Sequence, residues 1–300
     1  MHDLDLVKVN FNPESLKFLN ALLGLLMFGV ALDIKIEDFK SVFKTPKPVL
    51  IGLLCQYIFF PAATIALIYL FQPPTSVALG MVLVAACPSG NMANYMTHRA
   101  KANIALSVTL NAIIVLFAAV STPLIYSLWS KLVPNQETLA ATFSISFSYM
   151  LLIITQLIIV PLVVGIFLNE KFPRLVEKIK KPISIISLLI FFSFILGALY
   201  ANWTNVVEHL YKIFIIVLIH NALGLFLGYY AGKIFGLSDK DCQTLSIESS
   251  LHNTALGLIL IFNFFNGLGG MAFIAAWYGV WDLIVPFGLT NYWRHKNENI

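Results

Sequence analysis

Charge is scarce in this chain. Only 11% of its 300 residues are Asp, Glu, Lys or Arg, where a soluble globular domain carries about a quarter. No apolar–polar helical periodicity recurs along it, so a soluble bundle of buried helices is not expected either. Cysteine is equally sparse. Cys55, Cys87 and Cys242 lie in or beside apolar runs at unrelated spacings, which fits neither a disulfide framework nor a zinc site. Long polar segments are missing too. The longest, 34–47 and 169–181, are about a dozen residues each, so the chain reads as one membrane domain, 1–300, with no soluble module. There is no His-Glu-x-x-His pair, no Gly-x-Ser-x-Gly elbow and no phosphate-binding loop, and the absence of these motifs argues against an enzyme and against ATP-driven work. The first 15 residues hold Asp3, Asp5, Lys8 and Glu14 with no basic stretch leading into an apolar one, so an ordinary cleaved signal peptide is not expected.

Apolar sequence fills the space instead. Hydrophobic residues make up 59% of the chain and the mean hydropathy is +0.83. Apolar runs of roughly 20 residues repeat between short polar loops, the pattern of an all-α polytopic membrane protein. Nine spans are expected, at about 16–33, 48–70, 77–97, 104–129, 139–168, 182–201, 210–233, 242–264 and 270–292. Loops after the odd-numbered spans hold 15 of the 19 Lys and Arg residues. By the positive-inside rule, the N-terminus is outside and the C-terminus cytoplasmic in a multi-pass plasma (inner) membrane protein. This asymmetry accounts for the net charge of +4 and leaves no need for a nucleic-acid partner. Beyond the bilayer and a small substrate no partner is expected, and the chain reads as a monomer.

Within that apolar background Glu248 stands out. It lies in Leu245-Ser246-Ile247-Glu248-Ser249-Ser250-Leu251-His252-Asn253-Thr254, followed directly by an apolar run. An ionisable group at a helix centre in a bilayer costs at least ~2.5 kcal/mol and usually marks an ion or substrate path. Two spans are also poor helices. Span three holds Cys87-Pro88-Ser89-Gly90-Asn91-Met92-Ala93-Asn94 in its middle, and span eight holds the Glu248 cluster. Proline removes a backbone donor, and unwound backbone survives at membrane depth only where protein or a wet cavity covers it. The two spans are five apart and therefore run in opposite directions. That makes them candidates for the crossing, discontinuous helices of an inverted repeat, with repeat one at about 16–129 and repeat two at about 139–292, as in secondary transporters.

These stretches resemble the bile acid:sodium symporter family. Cys87–Asn94 with Asn103-Ile104-Ala105-Leu106-Ser107-Val108 is similar to its most recognisable segment, and Ile247-Glu248 with Asn253 to its second signature. Leu26-Met27-Phe28-Gly29-Val30-Ala31-Leu32 and Gln56 ahead of Pro61 also fit. The resemblance implies a panel of spans one, five and six beside a core of spans two to four and seven to nine. It also implies sodium-coupled symport of an organic anion, bile-acid-like or a small carboxylate, by alternating access, with Na⁺ as coupling ion and no organic cofactor.

By resemblance, one sodium site would draw on positions 93, 94, 107 and 111 with Glu248. A second would draw on Gln56, Glu248, the carbonyls of Ser249 and Leu251, and the side chain at 252. The sequence departs from that pattern. Ala93 stands where a serine is usual, Asn111 where threonine is common, and His252 where glutamine is common. Asn111 can still supply oxygen, whereas a neutral histidine offers only nitrogen. Asp282 is a second carboxylate within a span, where the resemblance implies none. An alternative reading therefore has His252 and Asp282 carry a proton, against the plainer one in which His252 bonds a core carbonyl and Asp282 lines a cytoplasmic vestibule. A non-transporting membrane sensor is the remaining alternative. Asn91, Asn94 and Asn253, near the half-helix starts, are the candidates for binding the anion. Lesser features read as structural: His220-Asn221 as a satisfied core pair, Pro173 and Pro182 as punctuation at span entrances, and Asn202-Trp203-Thr204 as a chance glycosylation pattern, while Gln156 before Pro161 reads as a packing or kink element as much as a substrate contact.

Overall fold

The computed structural model describes residues 2–5, 9, 13–32, 34, 46–90, 92–140, 147–201 and 203–298. Helices α1 (Pro13–Ala31) and α2 (Pro46–Phe71) are followed by the short pair α3 (Thr75–Ala86) and α4 (Met92–Arg99), then α5 (Ile104–Trp129) and the brief α6 (Gln136–Ala140). Next come α7 (147–171), α8 (Pro173–Ala201) and α9 (Trp203–Ile234). A second short pair, α10 (Asp239–Ser250) and α11 (Thr254–Phe264), precedes α12 (Gly269–Glu298). No strand occurs among the described residues, only an isolated antiparallel bridge between Ser89 and His252. Helices close all their backbone hydrogen bonds internally, which is what an apolar solvent demands.

Five stretches are long and apolar enough to cross a membrane: Pro46–Phe71, Ile104–Leu132, Ser148–Lys171, Ile213–Ile234 and Gly269–Glu298. Three shorter apolar helices, Leu16–Gly29, Thr75–Ala86 and Thr254–Phe264, lie among them. Proline shapes several. Pro46 and Pro48 open α2 in its first turn, where their missing N–H is no loss. Pro61 and Pro161 each follow a single wide turn, Cys55–Phe59 in α2 and Thr155–Ile159 in α7, because neither can donate to the carbonyl four residues back. Pro182 differs from its expected place. It sits inside α8, not at its entrance; Pro173 begins the helix and Pro182 is carried within it.

The two short pairs occupy the centre. Every residue of α3 from Ser76 to Ala86 is buried, as is every residue of α10 from Cys242 to Ser250. By contrast α2, α5, α7 and α9 leave large apolar side chains such as Leu70, Phe117, Val163 and Phe226 exposed, a surface suited to lipid. The start of α3 has no side-chain cap of its own. Asp5 supplies one by accepting from the Ser76 N–H at 2.7 Å, a carboxylate at the positive end of a helix.

Glycine lets α9 and α10 touch backbone to backbone. A Cβ at Gly224 would lie 2.5 Å from the Ser249 carbonyl oxygen, at Gly228 2.2 Å from that of Leu245, and at Gly232 2.8 Å from Cys242 Sγ. Spaced four apart, these are the small residues by which membrane helices approach closely. At one end of the molecule α4, α10 and α12 are stitched by polar contacts. Arg99 donates to Asn291 Oδ1 at 2.7 Å and stacks on Phe287, Asn103 donates to Asp241 at 2.7 Å, and Asn297 to the Ala100 carbonyl at 2.9 Å. Lys233 bonds Asp239 there and holds that carboxyl below its usual range.

Candidate functional site

Both expected interruptions lie where the sequence puts them, and they face each other. Helix α3 ends at Ala86 because Cys87 is extended, with φ −70° and ψ 147°, the conformation that Pro88 imposes on the residue before it. Helix α10 ends at Ser250, and Leu251 is extended with φ −94° and ψ 114°. The freed backbone pairs across: the Gly90 N–H donates to the Leu251 carbonyl at 3.3 Å and the Asn253 N–H to the Pro88 carbonyl at 2.8 Å. Asn253 restarts the second chain by capping α11, its Oδ1 accepting from the Leu256 N–H at 3.0 Å.

Neighbouring helices hold the first break. Gln56, on the wide turn of α2, donates to the Cys87 carbonyl at 2.8 Å. Asn111 of α5 donates to the Gly90 carbonyl at 3.2 Å, and its Oδ1 is buried with no partner. Beside them three predicted residues meet. The Ser107 hydroxyl lies in hydrogen-bonding range of both Asn94 Oδ1, at 2.8 Å, and Glu248 Oε1. Three oxygens thus converge around the one Ser107 hydroxyl hydrogen. Glu248 is 3% exposed, and its Oε2 makes no hydrogen bond of ordinary geometry, with Ser89 the side chain within electrostatic reach. Buried polar groups are nearly always satisfied, so an electron-rich, proton-poor cluster is chemically fit for a cation. Ala93 is fully buried in this region and offers a methyl where a hydroxyl would add an oxygen.

The remaining candidates gather at the second break. Ser249 is buried, and the Leu251 carbonyl already accepts from Gly90. His252 bonds the Ser250 carbonyl through Nδ1 at 3.1 Å, which places the hydrogen on Nδ1 and leaves Nε2 a bare, buried acceptor. Its ring stacks on Phe60, centroids 4.8 Å apart, and His220 stacks on Phe60 at 4.7 Å. Asp282 does not line an open vestibule. It is 6% exposed and accepts from the His252 N–H at 3.3 Å and from Asn221 Nδ2 at 3.0 Å. Among the described residues, Asn253 Nδ2 bonds the Met27 thioether of α1, at 3.6 Å, a weak acceptor. Asn91 and Asn202 lie outside the described residues.

Residues 20–209 match the sequence model of the sodium bile acid symporter family. That is well over half of the chain. The chain belongs to this family. Among its relatives, a Bacillus subtilis protein named as an uncharacterized sodium-dependent transporter, YocS, is 28% identical over 279 residues, 93% of this chain and 84% of its own length. The human ileal sodium/bile acid cotransporter is 27% identical over 79% of this chain and 67% of its own length. A rice protein named as a probable chloroplastic sodium/metabolite cotransporter, BASS2, is 31% identical over 79% of this chain. The chain spans 55% of that plant relative's length. These relatives are named as transporters, not enzymes, and membership in their family makes this a transmembrane protein of the sodium-dependent symporter class. The family match ends before Glu248, whereas the likeness to the Bacillus protein is long enough to take in both breaks.

Two features escaped the sequence. Asn221 reads there as half of a satisfied core pair, but its Nδ2 reaches both Asp282 and the Ser250 carbonyl at 3.1 Å, and His220 bonds Thr64 instead, at 2.6 Å. No local signal announces such a contact across 61 residues. The glycine rail of α9 was legible in principle, since Gly224-x3-Gly228-x3-Gly232 is a recognised membrane packing pattern.

Proposed function

We propose that this chain imports a small organic anion across the plasma membrane by sodium symport, with alternating access. One observation carries the reading: Asn94, Ser107 and Glu248 bring three oxygens together, short of protons, beside two paired helix breaks. A hard cation such as sodium wants about five or six oxygens, and carboxylate, amide and hydroxyl supply them. The first site then comprises Asn94, Ser107, Glu248 and Asn111 through its unpartnered Oδ1. A second, from Gln56, Glu248, the Ser249 and Leu251 carbonyls and His252, is weaker here, because His252 offers nitrogen.

The anion would bind at Asn253, whose amide bonds a thioether among the described residues and would gain from a carboxylate, and at Asn94, with Asn91 the third candidate. Met27 belongs to α1, so in this reading the substrate would lie between a panel of α1, α7 and α8 and a core of α2–α5 and α9–α12, the two interrupted pairs included. In this reading nine spans form an inverted repeat, N-terminus outside and C-terminus in the cytoplasm, with the protein a monomer. The repeat has support in the way the breaks are held. Gln56 of α2 and Asn221 of α9 each bond a carbonyl at a break, and these are the helices that the five-span offset makes equivalent. The proton-coupled alternative would use His252 and Asp282; the oxygens gathered at Asn94, Ser107 and Glu248 favour sodium.

Protein reconstituted in sealed liposomes tests the reading, with a panel of labelled bile acids and small carboxylates. Accumulation above equilibrium under an imposed sodium gradient is the expected result. Uptake without sodium that an uncoupler abolishes would make protons the driving ion. Saturable binding with no accumulation would make the protein a sensor.

A further inference from the structure

Asp282 and Asn221 take no part in the sodium reading, yet both are buried at the second break. Interrupting α10 frees backbone groups that a continuous helix would pair with one another. Most find backbone partners: Leu251 N–H bonds the Ile247 carbonyl, Thr254 N–H the His252 carbonyl, and Asn253 N–H the Pro88 carbonyl. Two take side chains of other helices, the Ser250 carbonyl in addition to His252 Nδ1. The His252 N–H donates to Asp282 Oδ2 of α12, and the Ser250 carbonyl accepts from Asn221 Nδ2 of α9. Asn221 closes the ring by donating also to Asp282 Oδ1. Two N–H donors therefore converge on residue 282, one on each oxygen. An amide there would turn its NH2 toward one of the two donors, whereas a carboxylate presents an oxygen to each. Asn221 is held in turn, since Gly224, one turn along, sits against the Ser249 and Ser250 backbone.

We propose that Asn221 and Asp282 are positioning residues, a clasp that keeps residues 250–252 in shape with no cation bound. The end of the Glu248 helix then meets its cation preformed, and less ordering opposes binding. The consequence for sodium rests on the function proposed above, whereas the clasp is testable without any cation.

Hydrogen exchange on purified protein in sodium-free choline buffer is the first measurement. The peptide containing His252 is protected in the native chain and exchanges about tenfold faster or more in Asp282→Ala and Asn221→Ala, the loss expected when a buried hydrogen-bonding group is left unsatisfied. Equilibrium binding of ²²Na⁺ then shows half-saturation raised by about the same factor with the number of sites unchanged. Exchanging the pair, Asn221→Asp with Asp282→Asn, rebuilds the 221–282 bond and an acceptor for the His252 N–H but removes the donor to the Ser250 carbonyl, so it recovers protection at His252 above that of Asp282→Ala without reaching the native level. If Asp282→Ala fails to fold, Asp282→Asn decides by the same two measurements. Native exchange and native sodium binding in the single variants would overturn the clasp. A native chain that binds no ²²Na⁺ but shows the exchange pattern would keep the clasp and remove the sodium reading.

Discussion

The first break, between Ala86 and Met92, is held by two neutral carboxamides, Gln56 and Asn111, each donating to a carbonyl. The second, between Ser250 and Thr254, is held by one carboxamide and a carboxylate, Asn221 and Asp282, which take a carbonyl and an N–H. Packing differs as well. The helix leading into the first break is covered by α12, where a Cβ at Gly80 would lie 2.8 Å from Met271 Cα, whereas α10 rides on the three-glycine rail of α9. A pair of interrupted helices thus has one half fixed by carboxamides alone and the other by a carboxamide and a carboxyl group. Glu248 sits on the half with the more heavily specified surroundings. Where a carboxylate must meet a cation in an apolar interior, a small misplacement loses much of the electrostatic gain, and the extra restraint falls on that side.

The rail offers the sharpest way to break this asymmetry. Gly228→Ala sets a methyl against the Leu245 backbone, which cannot swing aside as a side chain would. Overpacking of this kind costs roughly 3 kcal/mol. Purified Gly228→Ala is expected to melt well below the native protein, with exchange rising first across α10 and not across α3. Equal loss on both halves would mean the breaks are not separately supported.

A smaller effect compares two glutamines in the same backbone setting. Gln56 and Gln156 each lie in a wide turn five residues ahead of a proline. Gln56 is buried on the Cys87 carbonyl, whereas Gln156 is exposed. Gln56→Ala orphans a buried carbonyl, at about 1–3 kcal/mol, and should weaken both melting temperature and sodium affinity. Gln156→Ala should change stability by no more than ~0.5 kcal/mol. Matching losses would show that the wide turn, and not the break, is what Gln56 serves.

The same pair marks how far the sequence could be read. Both breaks, Glu248 with its polar neighbours, and Gln56 before Pro61 were visible in it, because proline, glycine and a carboxylate are conspicuous in an apolar run. The meeting of Asn94, Ser107 and Glu248 was implied by family resemblance, and it is present as geometry. Hydrogen-bond partners across the fold were not visible. Asn221 and Asp282 are 61 residues apart, and composition and periodicity say nothing about which faces of α9 and α12 converge. Pro182 was misplaced because proline within a helix and proline at its entrance look alike in a sequence. Asn111, read as a possible oxygen ligand, does bond the first break, but through its nitrogen, with the oxygen left over.

The central claim is that Glu248 and Ser107 anchor a cation at the meeting of the two breaks. Equilibrium binding of ²²Na⁺ to purified protein tests it most directly, in the native chain, Ser107→Ala, Glu248→Gln and Glu248→Ala. The account predicts saturable binding in the native protein, about tenfold weaker in Ser107→Ala for the loss of one hydroxyl beside a charge. Binding should be weaker still in Glu248→Gln, which keeps an oxygen but no charge, and absent in Glu248→Ala, all in protein that still folds and inserts. Native sodium binding by Glu248→Ala would contradict it.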